Sequence, residues 1–262
     1  MKPVGKRVWM SSLLAAVAVS LIVFACVFGG ALLGILLHAV LPENHLSAES
    51  KDIVKLGMGL VGTMAALVLG LLVASAKGSY DAQSTELKQM SANIAFLDRV
   101  LALYGPETKE TRTLLRGAVA RVLDQMWSKD GASRVASPSA GAEILYDKIA
   151  GLSPKSDTQR SLKGQALSLA VDLGKTRWLM YEQETGSVSI PLLVVLVFWL
   201  TVIFISFGLF APFNVTVVSS LFASALSVSG AIFLILEMYT PYEGLVQISN
   251  APLRAALAHL GQ

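Results

Sequence analysis

Long apolar segments alternate with polar ones in a simple order along this chain. Four stretches, at residues 11–41, 53–76, 188–211 and 215–239, carry almost no charge, and a mostly polar segment at 77–187 separates the second from the third. Each stretch reaches the roughly 20 apolar residues that cross a hydrocarbon core about 30 Å thick. The pattern predicts four transmembrane helices in two hairpins, with a domain inserted between them.

Within 77–187 the apolar positions follow the helical period, and no alternating β pattern occurs, so we predict an all-α fold. A heptad seam runs along one face of the first helix: Leu87, Met90, Ile94, Leu97, Leu101 and Tyr104. A broader apolar stripe marks a second helix: Leu115, Ala118, Val119, Val122, Leu123 and Met126. Shorter helices are predicted near 142–152 and 158–184, the latter capped by Ser156 or Asp157, with an exposed loop at 129–140.

The second apolar stretch and the heptad seam are predicted to belong to one helix. Gly78 alone interrupts the pattern between them, at a cost near 1 kcal/mol, whereas Gly105-Pro106 is a strong stop. A single helix over 52–104 would be about 80 Å long. The sequence leaves two interpretations of the seam open, which are packing within the protomer's own bundle and contact between subunits.

Charge near the apolar segments predicts the orientation, because positive residues stay on the cytoplasmic side. The head 1–10 has basic residues and no acid, whereas acidic residues outnumber Lys51 in the loop 42–52. We therefore expect both termini and the 77–187 domain to be cytoplasmic. The predicted domains are 1–76 (head and first hairpin), 77–187 (helical domain), 188–239 (second hairpin) and 240–262 (tail). The first apolar run is too long for a signal peptide, so we expect it to be retained.

Composition supports a membrane protein and argues against several other classes. The chain of 262 residues is 54% hydrophobic and 15% charged, against about a quarter charged in soluble domains. A net charge of +3 gives no reason to expect nucleic acid, and the single Cys26 cannot form an internal disulfide. His38, His45 and His259 lack metal-ligand spacing. No titratable cluster has catalytic spacing, so we expect neither an enzyme nor a cofactor.

Small residues recur every four positions on the first two apolar segments. On the first they are followed by a histidine: Cys26, Gly30, Gly34 and His38. On the second they are Gly62, Ala66, Gly70 and Ala74. Small residues at this spacing let helix backbones approach closely. Helix packing within the protomer, for which Gly30, Gly34 and Gly70 are the candidates, and contact between subunits or a narrow pore wall both remain open.

Polar side chains in the apolar segments are the candidate functional residues. Lys55 lies at the predicted outer end of the second segment, on nearly the same helical line as Gly62, Ala66 and Val73. A lysine at a helix end can simply reach water, but in a ring of identical subunits it would form a vestibule that concentrates anions.

The fourth apolar segment raises a similar choice. Ser220 and Ser224 share a face that either bonds the helix backbone or lines a hydrated path. Glu237, near the inner end, should reach water or pair with a cation such as Arg254, and a structural ion pair competes with an ion site.

The C-terminal part of the chain resembles a known family. Residues 227–237 (SVSGAIFLILE) run into Pro241-Tyr242-x-Gly244, and a segment at 248–254 reads ISxxPLR. Residues 70–74 (GLLVA), Tyr80-Asp81 and 208–212 (GLFAP) fit the same pattern. Together they resemble the bestrophin-like family of prokaryotic membrane proteins, although the acidic residue that many members have after the Glu237 position is absent from 238–240.

The resemblance implies distant kinship with the bestrophins, which are pentameric anion channels. It implies four membrane helices, a helical cytoplasmic domain and a homo-oligomer, with a pentamer as the first expectation. The expected partners are the lipid bilayer, further copies of the chain and small inorganic ions. The bestrophin pore-neck and calcium-clasp residues have no match, so none is carried over.

Two functions are therefore considered. The first is a homo-oligomeric ion channel that conducts anions such as chloride, in which each subunit contributes one helix to the pore. The alternative is a membrane scaffold or signal-relay protein without conductance, in which the heptad seam docks a partner or transmits movement.

Overall fold

The computed structural model describes residues 5–42, 48–127, 139–184, 189–242 and 244–261, and these ranges contain helices but no strand. The helices are α1 (Gly5–Val40), α2 (Ala48–Tyr104), α3 (Lys109–Met126), α4 (Ser139–Ala150), α5 (Asp157–Glu184), α6 (Ile190–Phe210), α7 (Val215–Met238) and α8 (Ala251–His259). Four of them, α1, α2, α6 and α7, are long and apolar enough to cross a membrane. The predicted all-α polytopic fold is confirmed.

The prediction of one long helix from the second apolar segment through the heptad seam is confirmed. Helix α2 has 57 residues, which corresponds to roughly 85 Å at 1.5 Å per residue. It ends where expected, because Gly105 has a φ of 137°, a conformation that side-chain-bearing residues rarely adopt. The Thr108 hydroxyl then donates to the carbonyl oxygens of Leu101 at 2.6 Å and Gly105 at 2.8 Å, which closes the helix end.

Local signals explain the other helix boundaries. The backbone N–H of Gln159 donates to the Ser156 hydroxyl at 3.1 Å, so the first of the two cap candidates of α5 is used. Asn214 caps α7 by accepting from the Val217 N–H at 2.8 Å. The predicted loop at 129–140 is wrong at its end, since Ser139 already starts α4, and the rest of it lies outside the described residues.

The chain divides into two compact units. The membrane unit contains the described residues of Ser12–Ser79 and Ser187–Tyr239, and the helical unit contains those of Tyr80–Gly186 and Thr240–Gln262, together with the start of the chain. The C-terminal tail therefore belongs to the same unit as the inserted segment. The predicted domain boundaries and their cytoplasmic placement remain predictions.

The heptad seam forms the core of the helical unit. All six of its side chains are buried, and those from Leu87 to Leu101 form one cluster with residues from four other helices: Leu115 and Val119 of α3, Ile149 of α4, Met180 of α5, and Leu253 and Ala256 of α8. The seam is thus buried inside the protomer, because its side chains pack against the apolar faces of neighbouring helices of the same chain. Its interpretation as a contact between subunits, or as a docking face for a partner, is wrong.

A buried ion pair ties the chain's end to this core. Arg112 of α3 donates to both carboxylate oxygens of Asp98 on α2, at 2.7 and 2.8 Å, and the Gly261 N–H donates to Oδ2 at 3.2 Å. The Asp98 side chain is only 7% exposed. Burial alone would raise the pKa of Asp98, but the hydrogen bonds from Arg112 and Gly261 and the charge of Arg112 hold that pKa below its usual value.

In the membrane unit, α1 and α6 cross at glycine positions, where their backbones lie in close contact. A Cβ atom added at Gly34 would lie 2.1 Å from the Ile205 carbonyl oxygen, and one added at Gly208 would lie 2.1 Å from that of Ala31. Gly30 is the next contact, where an added Cβ would meet Thr201 at 3.0 Å. Since only glycine fits at positions 34 and 208, Gly34 and Gly208 determine how closely α1 and α6 approach.

Helix α2 joins the membrane unit by a single face. Ala65, Leu72 and Ala76 are buried there against Leu196 and Ile203 of α6. The opposite side of α2 has no such partner within the described protomer, and this difference defines the candidate site.

Candidate functional site

Helix α2 is the least covered of the four membrane helices. Only 11% of its most apolar stretch is buried, against 22% in α6 and α7 and 28% in α1. Its two exposed flanks differ in chemistry. One carries large apolar side chains suited to lipid: Ile53, Leu60, Met64, Leu67 and Leu71.

The other flank, which we call the small flank, carries a lysine followed by small residues: Lys55, Gly59, Gly62, Ala66, Gly70 and Val73. At 100° per residue these positions fall within an arc of about 80°. A Cβ atom added at Gly59, Gly62 or Gly70 would meet nothing within 4 Å. The small flank is therefore open in the protomer, and Gly70 does not pack against another helix of its own chain.

A cavity of about 630 Å³ lies where the small flank meets α6 and α7, at the N-terminal end of α2 that is predicted to face outward. Its polar lining consists of Lys51, Lys55, Ser206 and Ser220. Its remaining walls come from all three helices: Met58, Gly59, Gly62, Ile203, Phe207, Phe210, Ala211, Val217 and Leu221. We call this space the outer cavity.

Both lysines of the outer cavity keep most of their hydrogen-bonding capacity. Lys51 Nζ donates to the Phe210 carbonyl oxygen at 3.3 Å, which satisfies one end group of α6 and leaves two N–H groups. Lys55 Nζ lies 3.6 Å from an Asp52 carboxylate oxygen, but the two side chains are 63% and 74% exposed. An exposed pair of this kind is weak, so Asp52 reduces the positive potential of Lys55 without cancelling it.

The two serines of the cavity lack the backbone hydrogen bond that several hydroxyl residues make in the membrane helices. Ser20, Thr201 and Ser227 each donate to the carbonyl oxygen four residues earlier, at 2.7 to 2.8 Å. Among the described residues, Ser206 and Ser220 make no such bond, nor does Ser224. Because a hydroxyl without a partner is costly in an apolar setting, these groups are available to a ligand or to water.

The structure brings three of the predicted pore residues together and separates the others. Lys55, Gly62 and Ser220 line the outer cavity. Ala66 and Val73 continue along the small flank, whereas Ser224 is exposed one turn beyond Ser220 and does not line the cavity.

The remaining predicted residues lie elsewhere. Gly30 and Gly34 lie at the crossing of α1 with α6, away from the small flank. Glu237 is buried, with 1% exposure, in the membrane unit, and Arg254 is exposed in the helical unit. Their pairing remains a prediction.

Sequence reasoning missed Lys51, Ser206 and the counter-charge of Asp52. Lys51 could have been found, because it precedes Lys55 by one helical turn. Ser206 gave no such signal, since a lone serine in an apolar segment usually bonds its own backbone. Within the described residues no group of three or more histidine, cysteine or acidic side chains could hold a metal ion.

Comparison with known families gives one match. A model of the bestrophin-like domain matches residues 23–253, which is nearly the whole chain and includes α2, α6, α7 and the second half of α1. No curated protein and no solved structure matches the chain. On the strength of the family match, the chain belongs to the bestrophin-like family.

Proposed function

We propose that this chain assembles into a homo-oligomeric ion channel that conducts anions, with the small flank of α2 lining the path. The family supports a channel-related function in general terms. The single observation that carries the anion assignment is the outer cavity, whose lysine and serine groups can all donate hydrogen bonds and whose walls contain no acidic side chain among the described residues.

The physical argument rests on repetition around an axis. In a ring of identical subunits, the fields of the lysines add in confined water, where screening is weaker than on an open surface. The glycine and alanine residues that follow Lys55 along the small flank have small side chains, which keep the path wide. The lysines attract anions without binding them tightly, and this lets the ions leave again and pass. A pentamer is the assembly that we propose, in a bacterial inner membrane with the helical unit in the cytoplasm.

A scaffold or relay role without conductance has lost its main support. It relied on the heptad seam as a docking face, and that seam is buried in the protomer's own core. The experiment that decides between the two is chloride flux into liposomes that contain the purified, confirmed oligomer. Flux well above that of protein-free liposomes supports the channel, and an electrically silent oligomer contradicts it.

The substitution Lys55→Glu should shift the selectivity of the channel from anions toward cations. It changes the charge that each subunit contributes to the outer mouth of the channel by two units. The Lys55 side chain is exposed, so packing should not change. We expect the ratio of chloride to potassium permeability to fall about tenfold, measured from the reversal potential in a salt gradient. Asp52→Asn is the matched control and should raise the same ratio. If Lys55→Glu leaves the reversal potential unchanged, α2 does not line the path.

A further inference from the structure

The apolar walls of the outer cavity are not explained by a small anion. Met58, Ile203, Phe207 and Leu221 come from three helices and face one space, and Phe207 remains 51% exposed. A hydrated inorganic ion gains nothing from such walls, whereas the acyl chain of a lipid packs against them through dispersion contacts. A volume near 630 Å³ also lies within the range of cavities that hold organic ligands.

The polar groups of the cavity define the other end of its ligand. Lys51 and Lys55 stand one helical turn apart on α2, and Ser206 and Ser220 have no hydrogen-bond partner among the described residues. All four side chains can donate hydrogen bonds to oxygen atoms of a ligand. These two cations and two hydroxyls are spread over three helices, so they match the separate phosphate and ester oxygens of a phospholipid better than the single carboxylate of a fatty acid.

We propose that the outer cavity binds an anionic phospholipid of the surrounding membrane. Its phosphate contacts Lys51 and Lys55, its ester oxygens accept from Ser206 and Ser220, and one acyl chain lies along Met58, Ile203, Phe207 and Leu221. The proposal goes beyond ion conduction, since lipid retention is measured without any flux. If the channel function also holds, the bound phosphate would offset the charge of Lys55 and lower anion conduction.

The test compares two lipids on the full-length protein. Native mass spectrometry of the detergent-solubilised oligomer counts the molecules of dioleoylphosphatidylglycerol or dioleoylphosphatidylcholine that each variant retains. We expect the anionic lipid to be retained preferentially. The double substitution Lys51→Gln and Lys55→Gln should weaken its binding about 25-fold, at roughly fivefold per lysine. Asp52→Asn, which removes the nearby negative charge, should strengthen it.

A second pair of variants separates the cavity from the lysines. Gly59→Leu combined with Gly62→Leu fills the cavity, and an added Cβ at either position meets nothing within 4 Å, so folding should be preserved. Retention of the anionic lipid should fall at least tenfold, because the two leucine side chains occupy the space that the acyl chain would fill. Gly57→Leu is the control on the same helix, because Gly57 also has no neighbour within 4 Å and does not line the cavity.

Three results would overturn the proposal. One is equal retention of both lipids by the wild-type protein. Another is retention of sodium oleate with no preference between the two phospholipids, which would make the ligand a free fatty acid. The third is efficient disulfide cross-linking between copies through Gly59→Cys, in a Cys26→Ser background, with no lipid retained. In that case a neighbouring subunit fills the cavity.

Discussion

Replacing Gly34 with alanine is expected to lower the free energy of unfolding by about 3 kcal/mol, the upper end of the cost of overpacking. The new methyl carbon would start 2.1 Å from the Ile205 carbonyl oxygen and 2.8 Å from the Leu209 nitrogen. These are backbone atoms, so the conflict is relieved only if α1 and α6 move apart. Reversible unfolding in mixed micelles measures the loss.

Gly208→Ala should have an effect of similar size, because its Cβ would approach the Ala31 carbonyl oxygen from the other helix. Gly29→Ala is the control, since an added Cβ there meets nothing within 4 Å. If Gly34→Ala and Gly29→Ala unfold at the same denaturant concentration, the close approach of α1 and α6 is not what stabilises this pair.

Removing the charge of Asp98 is expected to cost about 3 kcal/mol of stability at neutral pH. In Asp98→Asn the guanidinium of Arg112 loses its bidentate partner and remains 20% exposed, poorly placed for water to replace the carboxylate. The Gly261 N–H loses an ionised acceptor as well, so the chain's end should loosen from the helical unit. Denaturant unfolding and hydrogen exchange near the C-terminus provide the two measurements.

The pH dependence of this loss has a definite sign. The pKa of Asp98 is lowered in the folded protein, so its contribution is complete above the unfolded value near 3.9 and is lost as pH falls through the lower, folded value. The difference between wild type and Asp98→Asn should therefore be constant at neutral pH and shrink in acid below about pH 4. A difference that stays constant down to pH 2 would contradict this account.

A surface pair in the same unit is the matched control for Asp98. Lys148 Nζ lies 2.8 Å from a Glu110 carboxylate oxygen, but the two side chains are 45% and 71% exposed. Glu110→Gln should change stability by less than about 1 kcal/mol, because water already solvates both charges. The two substitutions therefore compare a buried and an exposed ion pair that each have one partner on α3.

The helical type of the elements and the number of membrane helices followed from the sequence, whereas α8 in the tail was not predicted. The length of each apolar segment determines whether it can cross a bilayer, and the helical period of the heptad seam identifies its buried face. Gly78 is too weak an interruption to stop a helix, whereas Gly105-Pro106 is strong enough to do so. The extent of α2 was therefore predictable as well. These are local properties, and they depend on residues close together in the chain.

The partners of each face were decided only by the tertiary structure. Helices α1 and α2 carry the same four-residue repeat of small side chains, yet Gly30 and Gly34 meet α6, whereas Gly62 and Gly70 meet nothing in the protomer. A periodic pattern identifies a face of a helix but contains no information about what lies opposite.

The candidate site depends on the same kind of information. Lys55 and Ser220 were predictable one at a time, but their meeting with Lys51 and Ser206 in one cavity required three helices to be placed. The seam shows the reverse outcome, because its apolar face suited a partner until α3, α4, α5 and α8 were found to cover it. Sequence alone thus determined the membrane helices and their faces, and long-range packing determined which faces remain open, since contacts between distant segments depend on the shapes of both.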